Sequence, residues 1–427
     1  MTGVLISGMG IVSALGNNVE ENLQALRTNR SGIAPLHYLQ TSHTEFPVGE
    51  VKMTNEEMMK LLHIPENEAI TRTSLMGKLA LREALQNACL LDADGLPALK
   101  ATRIAFVNGT TVGGMDKSEI YYLDFLENDS KNEYISTHDC GACTEMIADY
   151  FGIFSQVDTI STACSSAANA IVLGAELLKS GRADIVVAGG AECITKFHLN
   201  GFNTLMILDQ QPCRPFDARR AGLNLGEGAA YLVMETAEHF NRRLPNNPAI
   251  TPLCKLSGYA NTCDAYHQTA SSPDGEGAYL AMKKAIENAG LAPEQIDYIN
   301  AHGTGTENND TSEGTAIMRI FGGKIPPVSS TKSFTGHTTS AAGCVEAVIS
   351  ILTLLHNFIP ENLNFSEKIP ELSFTPFVKA EKMPILQHVL SNSFGFGGND
   401  TSLVFSKIQE NLQLCKLQSC KLQSCKF

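Results

Sequence analysis

Four short stretches concentrate the residues able to do chemistry. They are Thr162-Ala163-Cys164-Ser165-Ser166, Asn300-Ala301-His302-Gly303-Thr304-Gly305-Thr306, the run SSTKSFTGH ending at His337, and the run SNSFGFGGN ending at Asn399. Cys164 follows a β-branched run, residues 157–160, that reads as a buried strand, and precedes an Ala-rich run that reads as a helix. A cysteine at such a junction meets backbone N–H groups and the positive end of a helix dipole, which favour the reactive thiolate. Taken singly, each stretch has a plainer reading: Cys164 as a core cysteine, His302 as a structural hydrogen-bonding residue, the Gly-rich run as a tight turn. Taken together, one thiol, two imidazoles and the amine of Lys332 suit acyl transfer. The thiol would hold an acyl group as a thioester. Neutral His302 and His337 would donate hydrogen bonds to an oxygen that turns negative in the transition state. The Gly-Phe-Gly turn would add backbone N–H groups and an aromatic gate.

Such distant stretches meet only if the fold brings matching strand ends together, and the remaining pattern predicts this. LALREALQNACL (79–90) is echoed by LAMKKAIENAGL (280–291), and RIAFVNGTT (103–111) by QIDYINAHGTGT (295–306). Residues 327–355 form a weaker echo of the cysteine stretch. Alternating strands and helices with this repeat predict an α/β fold of two duplicated halves packed face to face, with ligands bound between them. The first half, 1–245, carries Cys164 and a lid or cap over residues 121–150. The second, 250–408, carries His302, Lys332 and His337, after a linker rich in Pro and Asn at 242–252. The opening strand, 4–6, is expected to be interrupted by Gly8, Gly10 and Gly16. GMGIVSALG lacks the G-x-G-x-x-G spacing, which speaks against a dinucleotide site. The tail, 409–427, repeats KLQSC and reads as a disordered appendage.

Composition narrows the class. A chain of 427 residues with 18% charged and 43% hydrophobic residues belongs among ordinary globular proteins, and a net charge of −13 speaks against general nucleic-acid binding. The sequence offers no long uninterrupted apolar run and no basic flank on an N-terminal apolar segment, so a cytoplasmic protein without a membrane span is expected. Twelve cysteines, most of them in apolar or helical surroundings such as Cys89, Cys193, Cys254 and Cys344, fit a reducing compartment. Cys140 and Cys143 form one C-x-x-C with no second pair at zinc spacing, so no metal is expected.

The order TACSSA, NAHGTGT, STKSFTGH, SNSFGFGG resembles the β-ketoacyl-acyl-carrier-protein synthases of the type II elongating kind, from Val4 to about Lys407. The resemblance implies the thiolase fold, a layered α-β-α-β-α core of two duplicated halves. It also implies a homodimer, and no cofactor beyond the phosphopantetheine carried by acyl carrier protein. Carried over by motif, Cys164 is the acyl acceptor. His302 and His337 support decarboxylation of the malonyl group, and Lys332 is held by a carboxylate, for which Glu313 is the candidate. Thr304 and Thr306 hold the phosphopantetheine arm, and Phe396 with Phe394 gates the site. The backbone N–H groups of Phe396 and Cys164 form the oxyanion hole. Departures at HGTGT, in the lid, and at Asn203-Thr204-Leu205-Met206, where relatives often place a basic residue, touch chain length and carrier choice. They would suit a synthase dedicated to a special acyl or polyene product. A carrier that is acidic would need a local basic patch, with Lys60, Arg72, Lys78, Arg219 and Arg220 as candidates. Two other readings are a non-catalytic chain-length partner, which typically lacks the nucleophile, and a thiolase. The thiolase requires a second cysteine that the SFGFGG turn does not have.

Overall fold

The computed structural model describes residues 3–91, 102–128, 130–246, 250–379 and 385–408. The expected tail, 409–427, lies outside them. Five strands come from the first half: β1 (Val4–Ser13), β2 (Ile104–Gly109), β3 (Gln156–Ile160), β4 (Ile185–Glu192) and β5 (Gly228–Thr236). Five come from the second: β6 (Cys254–Cys263), β7 (Tyr298–Asn300), β8 (Val328–Ser329), β9 (His388–Gly395) and β10 (Asn399–Ser406). Hydrogen bonds order them β3-β2-β4-β5-β1-β6-β10-β9-β7-β8. Read outward from the β1–β6 seam, both halves run in one order. Each starts with two antiparallel pairings, β1–β5–β4 and β6–β10–β9. Each ends with two parallel ones, β4–β2–β3 and β9–β7–β8. The repeat in the sequence is therefore a repeat in topology.

The helices of the first half are α1 (Val19–Arg27), α2 (Asn55–Leu61), α3 (Arg72–Asn87), α4 (Met115–Asn128), α5 (Asn132–Ile135), α6 (Cys140–Phe151), α7 (Ser166–Lys179), α8 (Lys196–Thr204) and α9 (Ala237–Arg243). The second half has α10 (Glu276–Ala289), α11 (Glu307–Phe321), α12 (Lys332–Thr335) and α13 (Ala342–His356). Alternation along each strand sorts its side chains between layers. On β5, Ala230, Leu232 and Met234 face α7 and α13. Their neighbours Ala229, Tyr231 and Val233 face α3 and α6. On β10, Leu403 and Phe405 point to the same central helices, whereas Val404 joins α10 and α11 on the outer side. The result is five layers of the thiolase type, with α7 and α13 sandwiched at the centre. The stretch Thr339–His356 is apolar and long enough to cross a membrane, but 89% of it is buried as this central helix.

Two sequence expectations change. β1 does not stop at its glycines: it runs on to Ser13, because Gly8 and Gly10 let α3 approach closely. A Cβ on Gly8 would lie 2.6 Å from Ala84 O, and one on Gly258 of β6 would lie 2.2 Å from Ala285 O. Ala84 and Ala285 are matching residues of the helical repeat, so both halves use one glycine to seat one helix. The second change concerns β3, expected to be buried. It is an outermost strand paired with β2, and Val157 is 38% exposed.

Candidate active site

Cys164 sits in a tight turn between β3 and α7. Ala163 before it has φ +51°, a left-handed conformation uncommon for a residue with a side chain. The turn is braced by Ser166, whose hydroxyl donates to Ala163 O at 2.6 Å and accepts from the Thr162 N–H at 2.9 Å. It is stitched to the other half by Ser393 Oγ donating to Cys164 O at 3.1 Å, and by Ser165 Oγ donating to Asn399 Oδ1 at 3.0 Å. Small residues let the two central helices touch here: a Cβ on Gly343 of α13 would lie 2.7 Å from Ala168 Cβ of α7.

The second half delivers the imidazoles. His337 Nε2 lies 3.1 Å from Cys164 Sγ, and the His302 and His337 rings stand nearly perpendicular with centroids 5.3 Å apart. Burial, then the positive charge of Lys332, holds both histidines well below the usual imidazole range, so both are neutral near pH 7. Lys332 Nζ reaches His302 Nδ1 at 3.2 Å, His302 O at 2.6 Å and Glu346 Oε1 at 2.5 Å. An ammonium has three donors and no lone pair, so His302 Nδ1 accepts and the ring proton sits on Nε2. His337 Nδ1 is buried with no hydrogen-bond partner among the described residues. Its ring proton is best used on Nε2, facing Cys164.

The carboxylate that holds Lys332 is Glu346, not the expected Glu313. Glu313 instead accepts from the backbone N–H groups of His302 and Gly303 at 2.9 and 2.8 Å and from Asn392 Nδ2 at 3.0 Å, fixing the loop that carries His302. Burial raises Glu313, and raises Glu346 to about 7 against the downward pull of Lys332. The helix start at α7 does not decide the state of the nucleophile either. Burial pushes the Cys164 thiol up to about 11, while Lys332 and the Phe396 backbone N–H pull it down. The resting group is a thiol at neutral pH.

A cavity of about 610 Å³ opens onto Cys164, His302 and His337, and Thr304, Thr306, Phe394 and Phe396 also line it. The Thr304 and Thr306 hydroxyls lie 2.9 Å apart. Phe396 stacks on Phe202 with centroids 6.0 Å apart, and Phe394 packs against the His302 ring at 5.8 Å. Gly397 and Gly398 follow Phe396 at φ +84° and +74°, conformations glycine adopts without strain. Sequence reading placed Ser393 and Asn399 in a reactive stretch without giving them a role, and it gave none to Phe202 or Glu346. Glu346 alone left a signal, a lone carboxylate inside the apolar run of α13.

The expected basic patch does not assemble. Arg72 is buried against Glu227 (2.6 Å) and the carbonyls of Val51 and Met53. Lys78 is buried over the Tyr150 ring. Arg220 donates to Asp217 O, Thr306 O, Glu307 O and Thr311 Oγ1. Arg219 is exposed beside Asp217 and Glu367, and Lys60 is exposed on α2. Of the five, Arg220 alone lines the cavity. In the C-x-x-C pair, Cys143 is fully buried and burial pushes its thiol up to about 12, while Cys140 is half-buried.

Comparison with known proteins agrees with this geometry. The models for the "Beta-ketoacyl synthase, N-terminal domain" and the "Beta-ketoacyl synthase, C-terminal domain" match residues 1–239 and 253–366. A putative mitochondrial 3-oxoacyl-[acyl-carrier-protein] synthase of Schizosaccharomyces pombe is 34% identical over 95% of this chain and 99% of its own. The 3-oxoacyl-[acyl-carrier-protein] synthase 2 of Coxiella burnetii is 34% identical over 95% of this chain and 98% of its own. Among solved structures, the ishigamide ketosynthase/chain length factor superposes with a TM-score of 0.85 at 28% identity, covering 96% of this chain and 100% of that one. A β-ketoacyl synthase from Burkholderia phymatum gives 0.83 at 27% identity, covering 96% and 100%.

Proposed function

The chain belongs to the β-ketoacyl synthase family, and we propose that it joins a malonyl group on acyl carrier protein to an acyl group held on Cys164, making a 3-oxoacyl chain two carbons longer. The observation that carries this reading is the meeting of Cys164 Sγ and His337 Nε2 at 3.1 Å, with His302 beside them, at the end of one cavity.

In the first half-reaction Cys164 attacks the acyl thioester. The Nε2–H of His337 stabilises sulfur as it gains charge, and the backbone N–H groups of Cys164 and Phe396 receive the carbonyl oxygen. The C–S bond to pantetheine breaks, and the thiol proton ends on the departing sulfur. In the second, the malonyl thioester loses CO2. The enolate oxygen is held by the Nε2–H groups of His302 and His337, the first fixed by Lys332 on Nδ1. The enolate carbon attacks the Cys164 thioester, and collapse of the tetrahedral intermediate expels the cysteine thiolate, which is reprotonated. Escape of CO2 makes the step one-way. Thr304 and Thr306 hold the pantetheine arm and Phe396 swings as the gate. No cofactor is needed, because phosphopantetheine arrives with the carrier.

We assign the two halves to 1–245 and 250–408. The half-exposed outer strand β3 supports a homodimer formed across that edge. The nine described cysteines are all unpaired, in keeping with a reducing, cytoplasmic location. Incubation of purified protein with acyl- and malonyl-loaded carrier tests the whole reading. Mass analysis should find the 3-oxoacyl carrier and released CO2, and the absence of both from correctly folded protein refutes it.

A further inference from the structure

Both half-reactions draw on one entry cavity, so the acyl group left on Cys164 has to clear it before the malonyl arm comes in. Its place is then past the Phe396 gate. Phe396 stacks on Phe202, and one turn back on α8 the His198 ring stands edge-on to Phe202, with centroids 6.1 Å apart at 89°. His198 is buried, does not line the entry cavity, and acts electrostatically on His337. Glu192, at the end of β4, acts in the same way on both His198 and Cys164.

The hydrogen-bonding capacity of this region divides into a used and an unused part. Glu192 is fully used. It accepts from the Thr111 and Val112 N–H groups at 2.8 and 2.9 Å, from the Thr110 and Thr111 hydroxyls at 3.0 and 2.6 Å, and from the Ser340 hydroxyl. Thr339, next to Ser340 and two residues past His337, is not. It is 4% exposed, and its hydroxyl has no hydrogen-bond partner among the described residues. Its backbone adopts φ +44°, an outlier for a β-branched side chain. An unpaired buried hydroxyl on a strained backbone costs stability twice at one residue. Valine has the same shape and no hydroxyl to satisfy, so packing alone does not account for threonine here.

We infer, resting on the condensing reading above, that Thr339 and His198 select acyl groups that carry an oxygen close to the thioester, as a hydroxyl or an oxo group, over plain hydrocarbon chains. The Thr339 hydroxyl can donate to either oxygen, and a neutral imidazole supplies one donor and one acceptor. Burial holds His198 below the usual imidazole range against the upward pull of Glu192, so the ring is neutral near pH 7. A site that hydrogen-bonds a substrate oxygen discriminates sharply against the analogue lacking it, because the site's own polar group is then left unpaired.

The test loads the full-length protein from carrier protein with labelled 3-hydroxyacyl, 3-oxoacyl and unsubstituted acyl groups of one chain length, and compares kcat/KM for labelling of Cys164. At least one oxygenated group should exceed the unsubstituted one by about tenfold, equivalent to about 1.4 kcal/mol. Thr339→Val should bring that ratio close to unity while raising Tm, and Thr339→Ser, which keeps the hydroxyl, should retain most of it. His198→Phe keeps a ring against Phe202 without the nitrogens and should lower the ratio severalfold. A wild-type ratio at or below unity overturns the inference and leaves the condensing reading standing. A ratio that Thr339→Val leaves unchanged overturns it too, and a lower Tm in that variant would show the hydroxyl serving a buried water instead. Failure of the wild type to take up any of these acyl groups overturns the condensing reading itself and the inference with it.

Discussion

The two halves share a strand order and differ in what they hang on it. Between β3 and α7 the first half has five residues, 161–165, a turn just long enough to present Cys164. At the corresponding place, between β8 and α13, the second half has twelve, 330–341, and the added length carries Lys332 and His337 across to the thiol. Between the next strands the difference reverses. The first half joins β4 to β5 through 193–227, which includes α8 and Phe202, whereas the second joins β9 to β10 through Phe396, Gly397 and Gly398 alone. Phe202 and Phe396 then stack across the divide. Duplication supplies the frame and an approximate twofold relation. Chemistry comes from unequal connections at equivalent strand ends, so one half provides the nucleophile and the other the groups that manage negative oxygen.

Removing either contribution should give different failures. Cys164→Ala takes away the first half's part: acyl labelling should vanish, and condensation should fall by more than about 10⁴-fold. Condensation that survives would show that the nucleophile lies elsewhere. His302→Ala and His337→Ala take away the second half's part. Each should cost about 10²–10³-fold in condensation, the scale of a lost oxyanion donor, while labelled acyl groups still load onto Cys164. If both variants fail to load, the division of labour between the halves is wrong.

A milder perturbation asks whether Lys332 works through Glu346. Glu346→Gln keeps the shape but leaves a buried ammonium without its counter-charge, so Tm should fall and condensation drop by about tenfold. Acyl loading, which does not depend on the His302 tautomer, should change least. Glu313→Gln loosens the His302 loop without touching Lys332, and equal effects of the two substitutions on loading and condensation would erase the distinction drawn between them.

How much of this could be read from residues alone follows physical lines. The repeat was legible because helix faces and strand ends are written in local pattern, as in LALREALQNACL and LAMKKAIENAGL. The reactive quartet was legible because Cys164, His302 and His337 each sit beside alanine or glycine in short small-residue runs, and Lys332 shares its run with His337. The partner of Lys332 was not, since a side chain's counter-charge is set by which helix passes nearby. Glu313 and Glu346 are equally acidic in sequence, and only the crossing of α13 beneath Lys332 selects one. Nor was the ionisation of Cys164, because local sequence shows the helix start but not the depth of burial that outweighs it. The basic patch failed for the same reason. Arg72 and Arg220 read as surface charges until folding commits them to carbonyls and to Glu227.

The smallest expected effect lies at one register position. β5 opens Gly228-Ala229 and β10 opens Asn399-Asp400, so the second half has a carboxyl where the first has a methyl. Asp400 is buried close to Asp264 and Glu313, and burial with these like charges pushes it up to about 8. In the unfolded chain an aspartate titrates near about 4. Between those values the folded protein keeps a proton that the unfolded chain has released, so stability is full below the window and is lost as pH rises through it. The limiting slope is about 1.4 kcal/mol per pH unit, levelling off above about 8. Asp400→Asn cannot ionise and should remove this share of the decline, raising Tm at pH 8 relative to the wild type while the two agree near pH 4. The contact is also functional in placement, since Asp264 N–H bonds to Gly398 O at 3.2 Å and Gly397 N–H to Gln268 O at 2.8 Å, which ties the Phe396 turn to the 263–268 segment. Ionisation of Asp400 next to Asp264 should therefore loosen the gate before it unfolds the protein, and hydrogen exchange at Gly397 and Gly398 should quicken above pH 8 in the wild type but not in Asp400→Asn. Equal exchange in both proteins across that range would return Asp400 to a purely local role.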